Sequence, residues 1–238
     1  MDLLPPELRV AAGKILADKL RAGETAEKSG MTTGFLGTRP LLPVLSDVGQ
    51  NDLAVKHFQS RKFPSWGYEV EQGATTIWEH WDSYTKAHDF DGEDGKQNAS
   101  MNSFAHYSFG AVCEWMLGRF AGIDQASPGF KQIIIRPSPP TPGSNPDRAP
   151  INWVKAHYDS IYGRIVSNWK RSADTFELET EIPANTTATV YLPATSAEKI
   201  TESGKPLTKV SGVKFLRMES DRALLEVESG KYHFISKL

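Results

Sequence analysis

The sequence predicts an α+β protein in which a helical first half is followed by an antiparallel β-sandwich. Two features of the apolar pattern point to this class. Apolar residues recur at helical spacing up to about residue 120, and they alternate with polar residues in the last third of the chain. A proline-rich stretch separates the two patterns. Strands that are segregated from helices in this way are typical of α+β folds rather than of alternating α/β folds.

The first half is predicted to be helical because its apolar residues return every three or four positions. The clearest helix covers residues 8–20, where two prolines precede the pattern at positions that a helix start tolerates. Two shorter helices are expected at residues 41–45 and 53–58, on either side of a glycine. Residues 101–120 are expected to place apolar side chains on one helical face. That face consists of Phe109, Val112, Cys113, Met116 and Phe120.

A boundary between the two halves is predicted at residues 131–150. A β-branched run at residues 133–135 is followed by four prolines between positions 137 and 142. Proline removes a backbone donor and continues neither a helix nor a central strand. We therefore divide the chain into a helical region at 1–130, a proline-rich connection at 131–150 and a β-rich region at 151–238.

The β-rich region is predicted to be a sandwich because short alternating segments are separated by turn residues. Its length of roughly 90 residues lies within the usual span of antiparallel sandwich domains. The alternating apolar positions fall in five segments, at residues 176–182, 188–192, 213–215, 223–227 and 232–234.

Composition excludes several classes of function. The chain has 238 residues, 39% hydrophobic and 24% charged, as expected of a globular protein with one large or two small domains. A net charge of −2 and a pI near 6.3 provide no basic surface for a polyanion, so nucleic acid is not an expected partner. The single Cys113 forms no intramolecular disulfide, and no cysteine and histidine cluster has zinc-ligand spacing. We predict no metal site and no cofactor.

No targeting or membrane segment is predicted in this sequence. The first seven residues lack a basic region followed by a continuous apolar stretch, as an export signal would have. Nowhere do about 18 apolar residues run together, as a membrane span requires. These observations leave the cellular location of the protein open.

The residues most suggestive of function combine aromatic rings with carboxyl groups. Trp66, Trp78 and Trp81 lie within 16 positions, together with Tyr68 and the acidic residue Glu79. A sugar ring packs its apolar C–H face on an aromatic ring, while its hydroxyls bond to carboxylate or amide groups. The tryptophans are therefore candidates for a sugar platform. The alternative is that this tryptophan-rich turn packs in a hydrophobic core.

A series of short motifs gives this combination a family context. They are TGFLG at 33–37, PSWGY at 64–68, GATTIWE at 73–79, MNSFAHY at 101–107, GAVCEW at 110–115, AGI at 121–123, PGFK at 128–131 and YDSIYGRI at 158–165. In this order they resemble the C-terminal portion of the α-L-rhamnosidases of glycoside hydrolase family 78. The resemblance covers nearly the whole chain. It implies an (α/α)₆ six-hairpin barrel, of which the helical half would be the last helices, followed by a C-terminal β-sandwich.

The resemblance also implies an activity and its residues. Enzymes of this family hydrolyse terminal α-L-rhamnosides with inversion, using one carboxylic acid and one carboxylate that activates water. Glu79 matches the position of this general base, and His106 that of a histidine that contacts the sugar. A histidine in an apolar context is often a hydrogen-bonded core residue, which is the alternative for His106. The acidic residues at 89–98 look like a calcium loop but lack EF-hand spacing, so we expect a solvated loop.

The resemblance implies that one part of the active site lies outside these residues. In the family, the general acid and several sugar-contacting residues come from barrel helices N-terminal to this region, and no matching acidic motif precedes Leu8. Three hypotheses follow. The chain is a fragment of an inverting α-L-rhamnosidase that carries the base but not the acid, a non-catalytic carbohydrate-binding remnant, or a subunit that needs an N-terminal barrel region from a partner chain.

Overall fold

The computed structural model describes residues 4–91 and 101–238, and the chain divides into two compact units. The first unit comprises Met1–Cys113 and Ser144–Ala149, and the second comprises Glu114–Gly143 and Pro150–Leu238. Helices dominate the first unit and strands the second, which confirms the predicted α+β class. Our domain bounds at residues 130 and 150 stay predictions.

Four helices build most of the first unit. They are α1 at Pro6–Gly23, α2 at Phe35–Asp47, α3 at Asn51–Phe58 and α4 at Trp66–Gln72. The first three contain the segments predicted from the sequence, although α2 begins six residues earlier than expected and contains two prolines. None of the helices in the described residues is both long and apolar enough to cross a membrane.

Helix α1 packs through a narrower face than its apolar pattern predicts. Gly13, Ala17 and Leu20 are buried, whereas Leu8 and Ile15 are exposed. A Cβ atom at Gly13 would lie 2.4 Å from Cγ2 of Val48, so the missing side chain allows the close approach between α1 and the end of α2. The contact therefore depends on a small residue, which apolar periodicity does not detect.

The prediction for residues 101–120 was only partly right. Helical structure begins at Phe109, with a 3₁₀ turn at Phe109–Ala111, α5 at Val112–Trp115 and a π-helical turn at Met116–Ala121. Phe109 and Phe120 are buried, but Cys113 and Met116 are exposed and do not share an apolar face with them. Changes of helical type shift the angular position of successive side chains, so the 3.6-residue period fails here.

The second unit is a β-sandwich of two sheets. The five-stranded sheet has the order β1-β2-β6-β10-β9, and the six-stranded sheet has the order β3-β4-β5-β11-β7-β8. Their bounds are β1 Ile123–Gln125, β2 Gln132–Ile135, β3 Trp153–Ser160, β4 Gly163–Arg171, β5 Thr175–Ile182, β6 Thr187–Pro193, β7 Ile200–Glu202, β8 Lys205–Pro206, β9 Val213–Glu219, β10 Arg222–Val227 and β11 Gly230–Lys237.

The alternation predicted from the sequence gives the sandwich its core. In β5, every second residue from Phe176 to Ile182 is buried, and β6 follows the same rule from Ala188 to Leu192. Strand pairing is antiparallel except between β2 and β6, which are parallel. The strand at 132–135 therefore belongs to a sheet, although the sequence predicted only a connection there.

Candidate active site

The residues singled out by the sequence lie on two irregular segments of the first unit. Segment A comprises residues 73–85 and segment B comprises residues 101–108; neither contains a regular α-helix or β-strand. Segment A begins where α4 ends, at Gly73, whose φ of 108° favours glycine. The direction of segment A is therefore set by α4.

Helix α4 is itself placed by two features of the PSWGY motif. The hydroxyl of Ser65 accepts a hydrogen bond from the Tyr68 N–H at 3.0 Å and donates one to the Ser60 carbonyl at 2.9 Å. A Cβ at Gly67 would lie 2.3 Å from the same carbonyl, so only glycine fits there. The serine caps the helix and the glycine allows it to pack closely.

Hydrogen bonds join segments A and B along their length. The Glu79 N–H donates to the Ser103 carbonyl at 2.9 Å, and the His106 N–H donates to the Ile77 carbonyl at 2.8 Å. Further along, the Ser83 hydroxyl donates to Asn102 Oδ1 at 2.8 Å, and Asn102 Nδ2 donates back to the Ser83 carbonyl at 3.1 Å. Segments that lack a regular ladder are thus held together by alternating main-chain and side-chain bonds.

The Glu79 side chain is fixed at one oxygen. Its Oε2 accepts a hydrogen bond from the Ser103 N–H at 2.8 Å, and its side chain is 25% exposed. Its Oε1 lies 4.0 Å from Nε2 of His80, beyond hydrogen-bond distance. The carboxyl group is therefore oriented by segment B, and its second oxygen has no donor within hydrogen-bond distance among the described residues.

The three tryptophans are buried in the first unit. Trp66, Trp78 and Trp81 are only 9%, 5% and 8% exposed. Trp81 stacks on Phe109 with ring centroids 3.7 Å apart, and Trp66 meets Trp81 edge to face at 5.1 Å. The Trp66 indole N–H also donates to the Phe109 carbonyl at 2.9 Å. Their ring faces are occupied by protein atoms, as in the core-packing alternative.

His106 is half-buried between two aromatic rings. Its imidazole stacks on Phe35 at 4.8 Å and on Tyr107 at 5.2 Å. Nδ1 accepts a hydrogen bond from the Ser108 N–H at 3.4 Å, so in the neutral ring Nε2 carries the proton. His106 lies on segment B rather than on a helix. Its N–H bonds to the Ile77 carbonyl, two residues before Glu79 on segment A. That both face one cleft stays a prediction.

Two buried titratable residues were not anticipated from the sequence. Glu69, on α4, is 2% exposed, and burial raises its pKa to about 8. His57, on α3, is also buried, and burial lowers the pKa of its imidazole to about 4. Among the described residues, Oε1 of Glu69 and Nε2 of His57 have no hydrogen-bond partner. Glu69 lies three residues after Trp66, on the same face of α4, a spacing that sequence analysis could have used.

No group of three or more metal-ligating side chains occurs within residues 4–91 and 101–238. Of the acidic segment at 89–98, only residues 89–91 belong to the described part, and the expectation of a solvated loop for the remainder lies outside it.

Comparison with family models matches both halves of the chain. Residues 1–119 match the bacterial alpha-L-rhamnosidase 6 hairpin glycosidase domain, and residues 122–206 match the bacterial alpha-L-rhamnosidase C-terminal domain. The two matches follow the order in which the helices and strands occur.

Curated relatives match almost the entire chain. An α-L-rhamnosidase of Streptomyces avermitilis is 37% identical over 98% of this chain, and one of Formosa agariphila is 34% identical over 99%. These matches cover 20% and 24% of the two relatives. The chain thus spans about a fifth to a quarter of the length of the curated relatives that it matches.

Solved structures show the same correspondence. The structure of the Streptomyces avermitilis α-L-rhamnosidase complexed with L-rhamnose superposes with a TM-score of 0.81 at 36% identity, covering 99% of this chain and 20% of that one. The native α-L-rhamnosidase of Aspergillus terreus gives a TM-score of 0.73 at 26% identity, covering 98% of this chain and 22% of that one.

Proposed function

Because the chain belongs to the bacterial α-L-rhamnosidase family, as the C-terminal part of such enzymes, we propose that it supplies the base-bearing part of an active site that hydrolyses terminal α-L-rhamnosides with inversion. In this proposal Glu79 is the general base and His106 contacts the sugar. The observation that carries the proposal is the geometry of Glu79. Its Oε2 is anchored to segment B, while Oε1 has no donor within hydrogen-bond distance in the described part of the chain.

That geometry suits the activation of water. A general base must hold its acceptor oxygen still and within reach of the proton that it removes. Ser103 holds Glu79 by two hydrogen bonds, from the Ser103 N–H to Oε2 and from the Glu79 N–H to the Ser103 carbonyl, and the buried Trp78 and Trp81 prevent the segment from repacking. Water bound at Oε1 would be deprotonated as it attacks the anomeric carbon. In inverting enzymes the two carboxyl groups stand roughly 6.5–9.5 Å apart to make room for this water.

His106 fits the role of a hydrogen-bond donor to the sugar. With Nδ1 accepting from Ser108, the Nε2–H is the group that remains to meet a hydroxyl. The stacking on Phe35 and Tyr107 fixes the plane of the ring, so the direction of this donor is set in advance.

The tryptophans are proposed to hold segment A in position rather than to form a sugar platform. Trp66, Trp78 and Trp81 are each less than 10% exposed, and contacts with additional residues of a longer protein could only lower this exposure. The rings would therefore need to repack before they could stack on a sugar. This weakens the hypothesis of a carbohydrate-binding remnant that relies on these rings. Their role in binding would be to hold segment A.

The general acid is proposed to come from barrel residues outside this 238-residue sequence, in cis or from a partner chain. The chain spans about 20% of the Streptomyces avermitilis relative, and the family model that matches residues 1–119 is a six-hairpin domain, whereas the described part of the first unit has four main helices. General acid–base assistance is worth about 10²–10⁴-fold per group, so an active site with one carboxyl group would turn over poorly.

The test compares the isolated chain with a chimera in which it replaces the corresponding fifth of the Streptomyces avermitilis enzyme. Hydrolysis of an aryl α-L-rhamnoside is followed, and the anomer released first is identified by proton NMR. We expect little or no turnover by the chain alone, and turnover with release of β-L-rhamnose by the chimera. Release of α-L-rhamnose would refute inversion. Efficient hydrolysis by the isolated chain would mean that another acid, with Asp82 the nearest in sequence, does the work assigned to an external residue.

A further inference from the structure

The six-stranded sheet of the second unit carries an open pocket that the proposed active site does not use. It has a volume of about 200 Å³ and lies over β3, β4 and β5, at the β3 edge of the sheet. Pockets for drug-sized ligands measure about 300–1,000 Å³, so this one has room for a single small ring. Its side-chain walls come from Trp153, Lys155, Asn168, Lys170, Glu177 and Glu179.

Strand register places these six side chains in two parallel rows on one face of the sheet. The first row crosses the strands as Trp153, Lys170 and Glu177, and the second as Lys155, Asn168 and Glu179. Directly paired residues have Cβ atoms about 4.5–5.5 Å apart, and positions two apart on a strand share a face. The intervening residues Trp169 and Leu178 are buried, so the rows lie on the face turned away from the sandwich core.

Trp153 forms an apolar wall of the pocket, and most of its side chain is left exposed by the described part of the chain. It is the first residue of the edge strand β3 and is 59% exposed, and its indole contacts no other aromatic ring among the described residues. An aromatic ring that stands beside polar groups in a pocket is the arrangement that accepts the C–H face of a sugar ring.

The polar side chains retain hydrogen-bonding capacity. Asn168 Oδ1 accepts a hydrogen bond from the Ala156 N–H at 3.2 Å, which fixes the amide, and its two donor hydrogens have no partner in the part of the chain that the structure describes. Within residues 4–91 and 101–238, Lys155, Lys170 and Glu179 form no side-chain hydrogen bond or ion pair. Glu177 has His233 Nε2 at 3.9 Å from its Oε2. Donors and acceptors are therefore both available to a ligand in the pocket.

We propose that this pocket is a second carbohydrate site, which binds one neutral pyranose ring of a saccharide against Trp153. The pocket is expected to favour a neutral sugar over a charged one, because the charges of its two lysines and its two glutamates sum to zero. The sugar hydroxyls bond to Glu179, Asn168 and the neighbouring charged groups. The site lies in the sandwich, and its existence does not depend on the assignment of Glu79.

The test uses the 238-residue chain and saturation-transfer NMR. The probes are methyl α-L-rhamnopyranoside and methyl α-D-galactopyranoside as neutral sugars, with D-galacturonate as the charged comparison. We expect saturable binding of at least one neutral sugar, weakened at least about tenfold by Trp153→Ala, since truncation of an aromatic anchor typically has such an effect. Trp153→Tyr retains a ring and should keep most of the affinity, which separates loss of the platform from loss of folding.

Two controls separate this site from the proposed active site. Tyr162→Ala removes a partly exposed aromatic ring at the turn end of the same β3–β4 hairpin, and His106→Ala removes the proposed sugar contact in the first unit. Both should retain the binding that Trp153→Ala weakens. The proposal is overturned if neither neutral sugar binds saturably, if galacturonate binds more tightly than both, or if Trp153→Ala leaves the affinity unchanged. Loss of binding in His106→Ala with binding retained in Trp153→Ala would assign the sugar to the first unit and would also overturn it.

Discussion

The two units are held together by different kinds of contact. In the sandwich, ladder bonds hold the strands, and buried residues alternate along β5 and β6 with hardly an exception. In the first unit, segments A and B have no ladder, and a few specific bonds from Ser83, Asn102 and Glu79 hold them together. The comparison suggests that the sandwich provides stability distributed over many residues, whereas the site depends on a small number of bonds, each of which affects geometry.

The largest expected effect on stability comes from removing a large buried side chain from the sandwich core. Trp169 is buried, and its indole N–H donates to the Phe120 carbonyl at 2.9 Å. Trp169→Ala should lower the free energy of unfolding of this unit by about 3–5 kcal/mol, through the cavity and the lost bond. Urea unfolding followed by circular dichroism measures this. Trp153→Ala, on the exposed edge of the same sheet, is the matched control and should change stability by less than about 0.5 kcal/mol. Equal losses in the two variants would contradict the assigned core.

An effect that depends on pH is expected at Glu69 on α4. Because burial raises its pKa from 4.5 to about 8, the folded state favours the protonated form. The stability that this protonated carboxyl group contributes is fully present below pH 4.5 and is lost as the pH rises to about 8. The loss is at most roughly 1.4 kcal/mol for each unit by which the folded and unfolded pKa values differ.

Glu69→Gln keeps the shape and removes this titration. The difference in unfolding free energy between the variant and the wild type should therefore move in favour of the variant by a few kcal/mol between pH 5 and pH 8. Taking the difference cancels His57, whose lowered pKa gives the opposite slope. Glu71→Gln, which removes an exposed carboxylate on the same helix, is the control and should show no such trend. A pH-independent difference for Glu69→Gln would refute a raised pKa.

The smallest effect on stability is expected in the bonds between segments A and B. Ser83→Ala removes the donor to Asn102 Oδ1 and the acceptor of the His80 N–H. Stability should fall by about 1–2 kcal/mol, whereas activity of the chimera should fall further than this loss explains, since Glu79 loses part of its support. Ser29→Ala removes another buried hydroxyl, bonded to the Pro64 carbonyl, and should reduce stability alone. Equal activities in the two variants would show that the Ser83 bonds do not position Glu79.

The same contrast explains how much the sequence could predict. Alternation is a local property, so the buried positions of β5 and the helices α1 and α3 were predictable from the pattern. The parallel pairing of β2 with β6 joins residues that are far apart in the chain, and local pattern contains no information about it. Segment B was expected to be helical as the start of residues 101–120, whose apolar residues from Phe109 to Phe120 suit a helical period. Instead it is irregular, and side-chain bonds from Glu79 and Asn102 join it to segment A.

The site was predictable only in part. The order of motifs pointed to Glu79 and His106, and the structure places them on adjacent, hydrogen-bonded segments. Their catalytic and binding roles stay predictions. The aromatic residues around Glu79 suggested a sugar platform, because composition does not show which ring faces are covered. The burial of Glu69 was missed because composition does not show which carboxyl groups are covered, although its spacing of three residues from the buried Trp66 on α4 would have indicated it.

The most direct test of Glu79 as general base is the effect of Glu79→Gln on the chimera with the Streptomyces avermitilis barrel. The amide keeps the shape of the side chain and can still accept the Ser103 N–H bond, but it cannot take a proton from water. We expect kcat for an aryl α-L-rhamnoside to fall by at least about 10²-fold with little change in KM, while Glu71→Gln stays close to the wild type. A Glu79→Gln chimera that retains wild-type kcat would contradict the assignment of the base.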